Sequence, residues 1–431
     1  MFINGIKFTA NKELLDKAIE VMPNPRFVYI PFSQHQGNPA LPVVKPGDSV
    51  KIGTKIGEID GNISACVHSS VAGKIIAIKK YPHPILGYGL ACIIESSGVI
   101  EWDEKIKDVR KYENLTKEEL INIIRDSGIV GLGGGMFPTH VKLLPPSDKR
   151  VELLIINGCE SEVNLASDYR LMLEFPTGVV EGAKIFARIL GVEKILFALQ
   201  QNKKNAAALL KKEGAEVKVL NNYYPMGSER QLIKALTKKE VPQNGLPWDI
   251  GCVVQNVATC YAAFQAVKFN KPLVERVITI TGDCIDEPKN LIVKIGTTVK
   301  DIIDYCGGAK GKIRKVVMGG LMTGIAQFTI SVPIIKGTTG VAVFSKIQNQ
   351  NNENCVRCAF CVDACPMGLL PCQIYKFIIN EDVARSAEFG VLDCIECGSC
   401  AYVCPANIPL VHYFKFAKLK LKSSSRSEIY A

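Results

Sequence analysis

The stretch Cys355-Val356-Arg357-Cys358-Ala359-Phe360-Cys361-Val362-Asp363-Ala364-Cys365-Pro366 is answered later by Cys394-Ile395-Glu396-Cys397-Gly398-Ser399-Cys400-Ala401-Tyr402-Val403-Cys404-Pro405. Each run spaces its cysteines as C-x2-C-x2-C-x3-C-P. This is the pattern of paired [4Fe–4S] clusters in which the fourth cysteine of each run serves the other cluster. Reach explains the exchange. Three thiolates two residues apart wrap one loop around three iron corners. The fourth cysteine has already started a helix leading away, and the proline after it sets that direction. The spacing predicts one cluster on Cys355, Cys358, Cys361 and Cys404, and the other on Cys365, Cys394, Cys397 and Cys400. Zinc also suits CxxC pairs, but it calls for two separated pairs per ion rather than three close cysteines and a Cys-Pro. Cys372 falls outside both patterns and reads as a buried thiol. A chain with two adjacent clusters is most simply an electron relay.

Working outward, the 431 residues exceed one ordinary core and predict two to four domains. Apolar residues make up 47% and charged residues 22%, a globular balance. No uncharged apolar run approaches the ~18 residues of a spanning helix. Residues 1–12 lack the cationic start and apolar stretch of a signal peptide. The sixteen cysteines then read as metal ligands and free thiols in a reducing, anaerobic cytoplasm, not as disulfides. The formal charge of +10 is offset by the negative charge that thiolate-bound clusters add. The lysines are scattered and no nucleic-acid motif accompanies them, so no nucleic-acid partner is expected.

Four regions follow from the patterning. Residues 1–100 are predicted β-rich, with short strands at 43–50 and 70–78. Residues 101–271 alternate apolar strands (151–157, 194–199, 216–220) with helices (205–212, 228–236), an α/β layer in which Ser228 is a candidate N-cap. Residues 272–345 form a small α+β module with strands at 277–281, 291–294 and Lys315–Met318 and a helix at Val299–Tyr305. A polar linker at 348–354 leads into the cysteine-rich region, 346–431. Its last helix candidate, 412–422, carries Lys415, Lys418, Lys420 and Lys422 and reads as a solvated end, with a membrane-surface role as the alternative.

Gly128-Ile129-Val130-Gly131-Leu132-Gly133-Gly134-Gly135-Met136-Phe137-Pro138-Thr139-His140-Val141-Lys142 packs glycines that let backbone N–H groups approach a phosphate or a flat ring. A flexible turn fits the spacing equally. Then the order of motifs becomes specific: GLGGGMFPTHVKL, NGCESEVNLASDYRLM, YYPMGSERQLIKALTKKEVP and VVQNVAT, followed by the cysteine runs. This order resembles the RnfC family, a component of the Rnf ion-translocating ferredoxin:NAD oxidoreductase complex. More distantly it resembles the flavin- and NADH-binding subunit of respiratory complex I. The resemblance covers nearly the whole chain.

The resemblance implies a multidomain α/β and α+β fold. Its parts would be an N-terminal barrel-sandwich β module, a complex I flavin-subunit-like α/β domain, a soluble-ligand-binding β-grasp module and a C-terminal two-cluster ferredoxin-like α-helical domain. The barrel-sandwich module resembles lipoyl and biotinyl carriers, yet Ile63–His68 offers no lysine to modify, so it reads as structural. The resemblance further implies FMN, with NADH stacked over it. Gly131, Gly133 and Lys142 would contact the flavin and its phosphate. Asn157 and Glu160 match the acidic loop beside the ring, and Gly227, Ser228 and Glu229 match a GxE loop. Gln255, Asn256 and Thr259 match the segment near the phosphate. Phe137 and Glu162 would meet the nicotinamide.

Met136 and Val163 depart from the usual loop and Glu-x-Glu-Pro motifs, Cys159 replaces a small residue, Ser161 stands where RnfC proteins often have cysteine, and the usual His-Pro start is missing. These point to a divergent branch, the RnfC-like electron-transfer proteins associated with D-proline reductase, with Cys159 as a candidate reactive thiol and a packed small residue as its alternative. Three functions compete. The first is an NADH-oxidising flavo-iron–sulfur protein feeding a reductase. The second is a true RnfC, peripheral and docked on the Rnf membrane subunits at the inner face of the cell membrane. The third is a non-catalytic iron–sulfur adaptor with a vestigial flavin site.

Overall fold

The computed structural model describes residues 5–8, 12–106, 109–347 and 353–427. Residues 348–352 of the expected linker lie outside the described residues, as do parts of 1–12.

The first strand, β1 (Ile19–Val21), leaves its own neighbourhood and pairs in parallel with Lys289–Lys294, some 270 positions along the chain. The barrel sandwich begins after it. β2 (Phe27–Pro31), β3 (Gly73–His83) and β4 (Gly87–Ser96) form an antiparallel sheet in the order β2-β4-β3, closed by Ser49–Val50. A second sheet of Leu41–Pro42, Lys55–Glu58 and Val67–His68 joins the same fully buried core, in which Ile30, Phe32, Ile56 and Ile75 take part. The strand expected over 43–50 survives only at its end. Lys45-Pro46-Gly47-Asp48 turns instead, with the Lys45 N–H donating to Asp48 Oδ2 at 2.8 Å and Gly47 at φ 99°. Cys66 and His68 gather no metal site: the Cys66 thiol donates to Glu58 at 3.1 Å, and no trio of His, Cys, Asp or Glu converges on one ion among the described residues.

The α/β layer contains β5 (Leu153–Gly158), α1 (Ser167–Glu174), α2 (Pro176–Leu190), β6 (Ile195–Gln200), β7 (Val217–Leu220), β8 (Cys252–Asn256) and α3 (Val257–Phe269). Its strands are all parallel, in the order β7-β6-β5-β8. Ligand crevices in such sheets form at the carboxyl ends of the strands. Those ends hold Asn157, Gly158, Gln255 and Asn256.

The third sheet unites β9 (Glu275–Thr281), β10 (Lys289–Lys294), β11 (Lys315–Met318), β12 (Ile325–Ala326) and β13 (Gly340–Phe344) in the order β1-β10-β9-β13-β11-β12. The helix Val299–Tyr305 is held at its start by a capping box between Thr298 and Asp301. The C-terminal region is helical, with α4 (Pro371–Ile379) and α5 (Leu410–Ser427) packed together.

Lys336 joins these modules. It is 1% exposed, and its amine donates to Cys66 O at 2.6 Å in the barrel sandwich and to Gly128 O at 2.8 Å beside the glycine-rich loop. Burial pushes the amine down to about 7 from 10.5. The unfolded chain therefore binds the extra proton between those values, and stability rises with pH across that window; below it the charging cost is constant. Lys336→Met should destabilise by about 1–3 kcal/mol, because two buried carbonyls lose their donor. Thermal melts should show the wild-type advantage growing from pH 7 to pH 9; an advantage that shrinks would reverse this sign.

Candidate functional site

One cavity of about 310 Å³ lies where the strand ends of the α/β layer meet the other modules. Its floor includes Gly133, Gly134, Asn157 and Asn256, and the opposite wall is Gly319, Gly320 and Gly337 of the third module. Pro84 and Ile85, at the tip of the β3–β4 hairpin, close one side.

The glycine-rich loop is pinned at its feet. The Gly131 N–H donates to Phe137 O and the Met136 N–H to Gly131 O, both at 2.9 Å. Leu132 N–H donates to Thr259 Oγ1 at 2.9 Å, and Arg276 donates to Leu132 O at 2.9 Å. Gln36 reaches in from the barrel sandwich to Gly135 O at 2.6 Å. Between these ties Gly133–Gly135 are exposed, and a Cβ added at Gly134 or Gly135 would meet nothing within 4 Å. Beside them α3 begins at Asn256, whose Oδ1 accepts from the Ala258 N–H while its Nδ2 donates to Asp168 at 2.6 Å. Exposed glycine amides next to a helix N-terminus suit a phosphate, and glycine walls suit a flat ring. The residues fit FMN.

Of the expected flavin residues, Gly133, Asn157, Glu160, Gly227, Ser228 and Asn256 line the cavity, and so does Glu162. Asn157 Nδ2 donates to Gly227 O at 2.8 Å, and the Gly227 N–H donates to Ser161 at 3.1 Å, so the two loops clasp each other. Gly131, Phe137, Gln255 and Thr259 do not line the cavity; Thr259 and the Gly131–Phe137 backbone pair instead brace the glycine-rich loop. Lys142 is not at the cavity. It pairs with Glu229 at 2.6 Å, so the phosphate role expected of Lys142 and the ligand role expected of Glu229 are both replaced by an ion pair between them.

Two expectations, a reactive thiol at Cys159 and a nicotinamide contact at Glu162, meet other demands in the structure. Cys159 is 0% exposed, its thiol lies 3.5 Å from Ala198 O, and burial pushes it up to about 12. A thiol so placed stays protonated and acts as a packed side chain. The Glu162 carboxylate accepts from the Met322 N–H at 3.0 Å, the Thr323 N–H at 3.1 Å and the Thr323 hydroxyl. Its work is to fasten the third module, and Gly320 makes room for it: a Cβ there would lie 2.2 Å from the carboxylate. Glu160 is likewise committed. Its oxygens accept from the Asp168 N–H at 2.7 Å and the Tyr169 N–H at 3.1 Å, closing the start of α1. Burial pushes Glu160 up against the pull of Lys203, and pushes Asp168 up against the hydrogen bond from Asn256 and the charges of Arg276 and Lys203.

Met136 takes φ 51° and folds onto Gly337, where a Cβ would lie 2.3 Å from its sulfur. Its long side chain is thereby turned along the cavity wall.

The cavity also reaches the cysteine-rich region, which sequence reasoning did not foresee. Ile395 and Cys397 form part of its wall, and the Tyr224 hydroxyl donates to Cys397 O at 2.5 Å. Tyr224 carried no signal beyond its place in the YYPMGSE motif. Cys365 lies among Cys394, Cys397 and Cys400, whose ionisation it opposes. Cys355, Cys358, Cys361 and Cys404 line a separate small pocket, together with Cys372. Thiols standing around a space, rather than converging on a point, fit a cube of iron and sulfide. Cys372 is half-buried inside that pocket, a correction to its reading as a buried bystander. Lys418 on α5 is also not a solvated end: it donates to Cys394 O at 2.6 Å and pairs with Glu396 at 2.8 Å.

Comparisons with known proteins agree with these modules. Residues 1–99 match the RnfC barrel sandwich hybrid domain, 124–265 the Nuo51 FMN-binding domain, 277–326 the SLBB domain and 354–408 the 4Fe-4S dicluster domain. The chain is 45% identical over 430 residues to the C component of the proton-translocating ferredoxin:NAD(+) oxidoreductase complex of Clostridium ljungdahlii, covering 98% of this chain and 93% of that one. It is 39% identical to the Na(+)-translocating counterpart of Acetobacterium woodii, over 93% of this chain and 92% of the relative. The corresponding component of an ion-translocating oxidoreductase complex of Rhodobacter capsulatus is 37% identical, over 97% and 82%. Among solved structures, an air-oxidised NAD+-reducing [NiFe]-hydrogenase shares the fold, with a TM-score of 0.52 and 19% identity over 68% of this chain and 61% of that one. FMN and [4Fe–4S] clusters are the cofactors of the matched domains, and no helix among the described residues is long and apolar enough to cross a membrane. The chain belongs to the RnfC family of ion-translocating ferredoxin:NAD(+) oxidoreductase components.

Proposed function

We propose that this chain exchanges electrons between a nicotinamide nucleotide, met at FMN in the glycine-walled cavity, and a partner protein, through the second cysteine run and then the first. The observation that carries this reading is the shared wall: the cavity that fits FMN is bounded in part by Cys397. FMN, when bound, reconciles a two-electron hydride exchange with one-electron clusters. The chain's own residues do the rest. Gly133, Gly134 and Asn256 would hold the phosphate end, the glycine faces of the third module leave room for rings, and the Tyr224 hydroxyl ties the Cys397 loop to the cavity. Ile85 and Pro84 restrict the mouth.

The partners are the membrane subunits of an ion-translocating complex, on which the chain sits peripherally at the inner face of the cell membrane. The 45% identity to a component of such a complex over nearly the whole chain supports this over D-proline reductase. Anaerobic reconstitution of the full chain should retain about one FMN and about eight irons, and NADH should bleach the clusters. A preparation that holds iron but neither retains FMN nor answers NADH would leave only the adaptor reading. Co-purification from native membranes should bring membrane subunits; recovery of D-proline reductase instead would move the chain to that branch.

A further inference from the structure

The region from 355 to 404 holds nine cysteines, one more than two cubes require. Cys372 is the ninth. It follows Cys365 by seven positions, and seven positions after Cys404 the chain has Val411. The symmetry relating the two runs therefore does not account for it.

Its surroundings do. Cys372 lies in the same small pocket as Cys355, Cys358, Cys361 and Cys404. It is the second residue of α4, after Pro371, so its N–H is free of the helix ladder. Its side chain packs against the small core to which Cys361 belongs. Five sulfurs thus surround a site that needs four. The first-run site is also the open one: Cys355 and Cys358 are exposed, and Val356 and Phe360 beside them are 65% and 54% exposed. Cys361 is buried, and Cys372 packs against the core it belongs to.

We propose that Cys372 is a reserve ligand of the first-run cluster, able to take the iron corner otherwise held by Cys361. This rests on the two-cluster reading above. The exchange is not a redox step. Cys372 releases its thiol proton to solvent and forms the iron–sulfur bond; the bond to Cys361 is the one lost, and the freed Cys361 thiolate takes up a proton. The second-run site has no such reserve, since its pseudo-equivalent position is Val411.

The test uses the full chain reconstituted anaerobically, with iron and sulfide analysis and EPR on wild type, Cys361→Ala, Cys372→Ala and the double variant. Wild type and both single variants should hold about eight irons, with the first-cluster signal of Cys361→Ala shifted. The double variant should fall to about four, with the second-cluster signal unchanged. Should Cys361→Ala alone fall to about four while the second-cluster signal persists, the reserve role is overturned. Cys361→Val, which fills the buried site but offers no ligand atom, gives the same comparison if the alanine variant misfolds. A wild type holding only about four irons would sink the two-cluster reading and this proposal with it, and is told apart because it precedes any substitution.

Discussion

Cys365→Ala empties the site of the second cysteine run, not its own. Iron should fall from about eight to about four per chain, and the surviving EPR signal should be that of the first run. The reason is positional. After Cys361 the chain turns one short helix, and Cys365 emerges beside Cys394, Cys397 and Cys400. The counterpart exchange brings Cys404 into the pocket of Cys355, Cys358 and Cys361. The two losses should differ in function because only the second-run site borders the flavin cavity, through Cys397. Cys365→Ala should lose NADH-driven bleaching altogether, while dithionite still reduces the remaining cluster. Cys404→Ala should keep NADH-driven bleaching of the second-run cluster and fail to pass electrons onward. If Cys365→Ala instead loses the first-run signal and keeps the second, the cross-closure is wrong. If it keeps NADH-driven bleaching, the order of the relay is wrong.

What could be read beforehand follows the range of the interactions involved. The cysteine runs were legible because their chemistry is encoded within a dozen residues. The helix Val299–Tyr305 was legible because Thr298 and Asp301 cap its start locally. α1, α2 and α3 were not picked out, although α2 carries nine buried positions, because Gly178 and Gly182 interrupt the apolar pattern and read as breakers. The excursion of β1 into the third sheet depends on a partner strand far along the chain, and nothing local signals it.

The site divides the same way. Gly133, Asn157, Gly227 and Asn256 come from strand-end and glycine motifs, and they do meet at the cavity. The walls supplied by Gly320, Gly337 and Ile85 come from other modules and carried no motif. The charged residues misled most: Lys142 and Glu229 pair with each other away from the cavity, and Glu160 and Glu162, though they line it, spend their carboxylates on partners within the protein. A carboxylate or lysine in a family motif has the right chemistry for a ligand, but an equally strong local partner is invisible until the fold brings it close.

Gly182→Val should be the most damaging single change outside the cysteines, and should act on the flavin cavity from a distance. Gly182 lies in α2 where α3 crosses it, and a Cβ there would stand 1.8 Å from the Cys260 carbonyl oxygen. That neighbour is helix backbone, so no rotamer relieves the clash and the helices must separate. One turn earlier, a Cβ added at Gly178 would lie 2.8–3.1 Å from the Tyr261 and Phe264 rings, so the crossing cannot slide toward that end either. Overfilled cores cost about 1–3 kcal/mol, and a backbone clash of this depth belongs at or above the upper end. α3 also carries the cavity floor: Asn256 at its start holds Asp168 of α1, and Thr259 in its first turn holds Leu132 of the glycine-rich loop. Separating α2 from α3 therefore loosens the contacts that shape the phosphate end. The expected result is a lower thermal midpoint together with loss of bound FMN, while the C-terminal clusters, borne on their own helical core, stay near about eight irons. Lys184→Ala, an exposed change two residues further along α2, should stay within about 0.5 kcal/mol and keep its flavin. A Gly182→Val chain that melts normally and holds FMN would show that α3 is not what fixes the cavity floor.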